Sequence, residues 1–238
     1  SLGSCSEQEP DVFQNINGVY LNNHSNTNIL LANTNVTFVY QKGDEMQVPI
    51  KIQLVGRPTD HPREIALTVS SEDAQEGVDY VLPEKAELPA GETTLEYMIT
   101  LKRTAILKSQ QKHIQISLQP NAFFTLPVTE ETTANGDVVT TLSYEIIFSD
   151  QFTTAPKAWK TDLLGDFTQQ KFELACKVLE LDPGDFNDES KMTLAMQSYV
   201  SSEMQSYVKE QQKLRNSGKT YDADAFDAQG NALAFYGE

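Results

Sequence analysis

The residues whose types could do covalent chemistry in this chain are three histidines, two cysteines and many carboxylates, and their spacing narrows what they can do. His24, His61 and His113 lie far apart, and no His-Glu-x-x-His pattern or Cys/His spacing of a zinc site joins them. A Gly-x-Ser-x-Gly elbow for a nucleophilic serine is absent. Gly218-Lys219-Thr220 copies the end of a phosphate loop, but the earlier glycine such a loop needs is Lys213, and a helical pattern rather than a strand precedes it. Glycosidases need only a pair of carboxylates; with 34 acidic residues no pair stands out, so a carboxylate-based hydrolase is the least favoured reading. No catalytic residue, cofactor or metal is expected. Aromatic side chains that stack on sugar rings are the remaining chemistry, and Trp159, Tyr20 and Tyr236 are the candidates, although burial as packing residues is the favoured reading of each.

Charge and cysteine usage bear on partners. The formal net charge is −16, from 18 basic against 34 acidic residues, which argues against nucleic acid, where Lys and Arg displace phosphate counterions. It argues equally against electrostatic docking to an anionic bilayer. The tetrad Leu2-Gly3-Ser4-Cys5 resembles a bacterial lipobox, with small residues before the cysteine. The resemblance implies that Cys5 becomes a lipid-bearing N-terminus, each buried methylene contributing ~0.8 kcal/mol to the membrane anchor. Ser6-Glu7-Gln8-Glu9 is similar to the surface-export tag of lipoproteins from Bacteroides-type bacteria. The expected address is the outer membrane, facing the cell surface or the periplasm. With Cys5 acylated, Cys176 stands alone in an apolar helical stripe with Phe172, as a packing residue.

Periodicity sets out the strands and helices around these residues. Val36, Phe38 and Tyr40; Val48, Ile50, Ile52 and Leu54; Ile65, Leu67 and Val69; Leu95, Tyr97, Ile99 and Leu101; and Ile114, Ile116 and Leu118 each repeat at every second position, the mark of half-buried strands. Asn135-Gly136 reads as a two-residue hairpin joining strands near 123–132 and 138–148. With a first strand at 19–21, about eight strands predict an immunoglobulin-like sandwich. After Asp150 the period changes. Thr168 caps a helix carrying Phe172, Ala175, Cys176 and Leu179, and a longer helix from Glu189 to Asn216 starts at Asp188 and stops near Gly218. Met192, Met196, Val200, Met204 and Val208 form its core stripe, and the segment after Gly218 reads as a small hairpin turning at Gln229-Gly230. Aspartates 222, 224 and 227 hint at a calcium loop, but Phe226 takes the third ligand position. The fold class expected is multi-domain: a tether at 1–12, an all-β immunoglobulin-like sandwich at 13–150, and a smaller α-rich (α+β) domain at 151–238.

Residues 73–103 carry Glu76-Gly77-Val78-Asp79-Tyr80 ahead of Pro89-Ala90-Gly91, which resembles the Calx-beta-like modules of extracellular proteins. Some such modules bind calcium, which would implicate Glu72, Asp73, Glu76 and Asp79. The acidic stretch expected after the next strand is replaced by Lys102-Arg103-Thr104 and Lys108 to Lys112, so a solvated acidic turn is the favoured reading. Over most of its length the chain resembles a family of uncharacterised Bacteroides-type lipoproteins, a domain of unknown function. The matching pieces are Cys5, the strand ending in Gly56-Arg57, the EGVDY turn, Arg103 to Lys108, Leu118 to Phe124, and Trp159 followed by Leu164-Gly165-Asp166-Phe167-Thr168 and Lys171. The ending Gly230 through Phe235 also matches, with Phe235-Tyr236 in place of Phe-Pro. The resemblance implies a non-catalytic accessory role in capture of a glycan or nutrient; the alternative is a structural or adhesive module whose sandwich presents an edge strand to a protein partner.

Overall fold

The computed structural model describes residues 15–237, so Cys5 and the proposed tether lie outside the described residues. The chain divides into two compact units. One runs up to Val36 and resumes over Asp44–Ser149; the other is Thr37–Gly43 with the residues from Asp150 onward. A single boundary near residue 150 therefore does not capture residues 37–43.

The first unit is β-sandwich-like. One antiparallel sheet has the order β1-β3-β8-β6, built from β1 (Gly18–Leu21), β3 (Glu45–Val55), β6 (Tyr80–Val81) and β8 (Thr94–Lys102). The other has the order β2-β12-β9-β5, from β2 (Asn33–Thr37), β5 (Ala66–Ser70), β9 (Lys112–Gln119) and β12 (Ser143–Ser149). Two small pairs complete it: β4 (Arg63–Glu64) with β7 (Glu87–Leu88), and β10 (Glu130–Thr132) with β11 (Val138–Thr140). The alternation read from sequence is the alternation of burial. Val48, Ile50, Ile52 and Leu54 on β3 and Ile114, Ile116 and Leu118 on β9 are buried, and the residues between them are not.

Three readings are corrected. Val36, Phe38 and Tyr40 do not share one strand face, because β2 ends at Thr37 and Phe38–Tyr40 is a 3₁₀ turn that buries Phe38 and Val39 side by side. The strand expected at 138–148 is two strands, β11 and β12, which lie in different sheets. The hairpin between β10 and β11 is longer than two residues. Thr133 N–H bonds to Asp137 O, and only Gly136 takes a positive φ, +87°.

The second unit is mainly helical. Its elements are α1 (Thr161–Leu164), α2 (Gln169–Val178) and α3 (Leu194–Asn216), with 3₁₀ turns at Pro183–Asn187 and Ala223–Ala225. Tyr40 meets Phe152 and Phe172 edge-to-face at 5.4 and 6.2 Å, which explains why residues 37–43 belong here. Thr168 caps α2 as expected, accepting from Lys171 N–H. α3 starts later than Asp188 suggested. Thr193 is its cap, accepting from Met196 N–H, while Asp188 bonds the N–H of Ser190 in a separate turn. Met192, Val200, Met204 and Val208 are core, as their spacing implied. No helix among the described residues is long and apolar enough to cross a membrane.

Candidate functional site

The most conspicuous motif of the helical unit folds in on itself. Trp159 is buried, and its indole Nε1–H donates to Gly165 O at 2.9 Å. Lys171 is also buried; its Nζ donates to Leu164 O at 2.8 Å and Asp166 O at 2.6 Å. The ammonium lies 5.6 Å from the Trp159 ring and 5.2 Å from that of Phe235. Burial pushes the Lys171 pKa down, against the pull of Asp166. Trp159 is thus a core residue and not a stacking candidate: the rings of Phe167 and Phe186 lie 5.1 and 6.0 Å from its own and its one donor is used. Cys176 is buried too, and burial pushes its thiol up to about 12, in keeping with packing rather than nucleophilic chemistry.

In the sandwich unit the acidic turn is also spoken for. Gly77 takes φ +86°, Tyr80 is buried, and Asp79 accepts from Gln75 N–H at 2.7 Å. The solvated turn expected from sequence holds for Glu72, Asp73 and Glu76 but not for Asp79, which is buried against Lys112 Nζ at 2.9 Å. A lysine from β9 thus supplies the positive charge that this carboxylate faces. Asp73 binds Ser71 Oγ, and both the backbone N–H and the Nδ1 of His113. Against the upward pull of partial burial, those hydrogen bonds hold the Asp73 carboxyl below its usual range. This brings Ser, Asp and His together, a juxtaposition sequence could not show because His113 lies 40 residues from Asp73. It is not a triad: the serine hydroxyl donates to Asp73 and to the His113 carbonyl rather than to the imidazole. Among the described residues no group of three or more His, Cys, Asp or Glu is placed to hold a metal ion. The aspartates near the end are used locally; Asp227 accepts from Gln229 and Asn231 N–H, and Asp222 accepts from Asp224 N–H and Tyr207 Oη.

Tyr20 and Tyr236 remain, on different units. Tyr20 on β1 is half-buried, and burial together with the nearby Glu131 carboxylate raises its pKa. Tyr236 is 57% exposed yet its backbone is fixed from three sides. Phe235 before it is fully buried, with its carbonyl accepting from Ser201 Oγ and Gln205 Nε2. Gly237 after it packs so closely that an added Cβ would lie 2.2 Å from Asp162 O. A Cβ on Gly165, which takes φ +74°, would lie 2.7 Å from Tyr236 O. The exposed phenol thus stands on an anchored backbone, preorganised as a binding aromatic should be.

Beside it runs a groove of about 550 Å³, within the ~300–1,000 Å³ of small-ligand clefts. Ser198, Ser202 and Ser206, one helical turn apart, share a face of α3 and line it with Gln205, Lys209, Asp162 and Tyr236. Hydroxyls, an amide, one charge of each sign and an aromatic are the donors, acceptors and stacking surface that a neutral polyhydroxylated ligand uses. Sequence named Tyr236 but missed the serines. Their signal was the spacing of four, overlaid by the apolar Met stripe of the same helix.

The chain therefore joins a β-sandwich-like unit to a helical unit that bears a polar groove with one aromatic on its wall. The chain belongs to the family described as Domain of unknown function (DUF4843), whose model matches residues 13–181. No curated protein matches it. Among solved structures it is similar to CBD12 from CALX1.2, at 13% identity over 55% of this chain and 44% of that one, TM-score 0.35. It is similar to the apo form of the Calx CBD1 domain, at 12% identity over 57% and 99%, TM-score 0.36. A protein of unknown function from Bacteroides ovatus matches at 10% identity over 55% and 44%, TM-score 0.33. The chain spans less than half the length of the first and third.

Proposed function

We propose that this protein is a non-catalytic binding module that captures a neutral glycan in the α3 groove, with Tyr236 as the stacking residue. The observation that carries the reading is the fixed, exposed Tyr236 on the wall of a hydroxyl-lined groove. Sugars present an apolar ring face and a rim of hydroxyls, and this groove offers a partner for each. Its site belongs to an outer-membrane lipoprotein anchored through Cys5, with an immunoglobulin-like, Calx-beta-like sandwich as the body. A screen of the soluble chain against neutral polysaccharides tests the ligand class. Saturable binding to one glycan family, competed by its oligosaccharides, supports the reading, and retention of no glycan overturns it. Palmitate labelling of the precursor in its host, lost in Cys5→Ala, tests the anchor.

A further inference from the structure

The sandwich unit carries a second cavity, and its lining locates it. Six consecutive residues of β3, Met46 to Lys51, line a space of about 290 Å³. Successive side chains of a strand point to opposite faces, so inward Val48 and Ile50 and outward Gln47 and Pro49 can line one cavity only from the strand's edge. The edge toward β8 is paired from Glu45 to Gln53. The cavity therefore lies on the β1 side, where β1 pairs only with Ile52 to Val55 and Asn22 N–H bonds Lys51 O. Among the described residues no strand pairs with β3 before that point. The Lys51 carbonyl facing this edge sets the alternation, so Gln47 directs both its N–H and its C=O there, and Pro49 its C=O. Across the opening stand Val36 of β2 and Tyr144 of β12, from the inner face of the other sheet.

An open strand edge with an apolar cavity beside it is the arrangement that accepts an added strand: main-chain bonds supply affinity and the cavity selects a side chain. The charge at the rim selects further. Lys51 Nζ donates to His24 O at 3.0 Å, and among the described residues no carboxylate pairs with it. Its cross-strand neighbour on β8 is Glu96, yet the ammonium is held by a carbonyl rather than a carboxylate, and beside an open edge it can still take an incoming carboxylate. We propose that the outer half of β3 docks an extended acidic peptide segment of a partner protein, which pairs with Gln47 and Pro49, inserts one apolar side chain between the sheets and sets a carboxylate against Lys51. This surface is independent of the α3 groove.

The test uses a fluorescein-labelled, capped peptide alternating valine and threonine with one aspartate, titrated into the whole chain and read by anisotropy. Gln47→Pro removes the edge donor at a position where a β-edge tolerates proline, and Lys51→Glu reverses the charge. Saturable binding is expected, weakened roughly tenfold or more by each substitution, as loss of one good hydrogen bond or ion pair implies. Methylating alternate amides of the peptide, with the protein unchanged, is expected to abolish binding, which guards against a folding defect in Gln47→Pro. Binding that survives all three changes, absence of saturable binding, or displacement of the peptide by a neutral oligosaccharide each overturns the proposal.

Discussion

Both units bury a lysine, and they do it in opposite ways. Lys112 meets a carboxylate, Asp79, at 2.9 Å, and the pair closes the turn at Gly77. Lys171 has only neutral groups as direct partners, two backbone carbonyls and the rings of Trp159 and Phe235, and Asp166 acts on it through charge alone. The first is a charge neutralised by a partner, whose loss strands the other charge. The second is an ammonium whose direct partners carry no net charge, so burial outweighs the pull of Asp166 and its pKa falls. In each unit the residues most conspicuous in sequence, the EGVDY turn and the Trp159–Lys171 motif, build the body, and the open grooves lie along plainer residues.

This contrast ranks the effects of substitution. Lys112→Met leaves Asp79 buried without a counter-charge and is expected to lower stability in urea unfolding by ~3–5 kcal/mol. Adding Asp79→Asn to it should restore a large part, and a single-variant loss below that of Lys171→Met would break the contrast. Lys171→Met removes a donor from two carbonyls but also a desolvated charge, so its expected loss is smaller, ~1–3 kcal/mol. The pH dependence has a definite sign. Because the folded pKa of Lys171 lies below the unfolded 10.5, the unfolded chain binds more protons between those values. The wild type should therefore gain stability relative to Lys171→Met as pH rises through that window, and a constant difference there would refute the charged, strained ammonium.

Tyr207→Phe comes next, at ~1–2 kcal/mol for a hydrogen bond to a charged acceptor. Tyr207 Oη donates to Asp222 at 2.6 Å. Burial, then that bond and the Asp222 charge, push the phenol up to about 12. The same bond holds Asp222 below 3.8. The stabilisation is thus present from pH 3.8 up to pH 10, is lost as acid protonates Asp222 below its lowered value, and is lost again as base ionises Tyr207 near 12. Stability profiles of wild type and Tyr207→Phe should converge at both ends. The smallest effect expected is Thr193→Ala, about 1 kcal/mol for an N-cap. Asp188→Ala should leave α3 helicity by circular dichroism unchanged; a larger loss there than in Thr193→Ala would move the start of α3 back to Asp188.

Strands were legible wherever one face met a core, because burial imposes a period of two that β3, β8, β9 and β12 all show. The reading failed at Phe38–Tyr40, where two successive residues are buried by a 3₁₀ turn, and at Asp188, an acidic residue that looks like a cap but serves the turn before the helix. Long-range partners were illegible in principle. Lys112 lies 33 residues from Asp79, and nothing local marks it as the counter-charge. Tyr236 was nameable as an aromatic, but its anchoring by Ser201, Gly165 and Asp162 exists only in the folded chain.

Glycan capture at the α3 groove stands or falls on titration calorimetry of the retained neutral glycan against wild type, Tyr236→Ala and Tyr20→Ala. Tyr236→Ala is expected to weaken binding about tenfold or more, the loss of a stacked ring face, while Tyr20→Ala binds as the wild type does. Equal affinity in wild type and Tyr236→Ala, or a loss confined to Tyr20→Ala, would contradict capture at this groove.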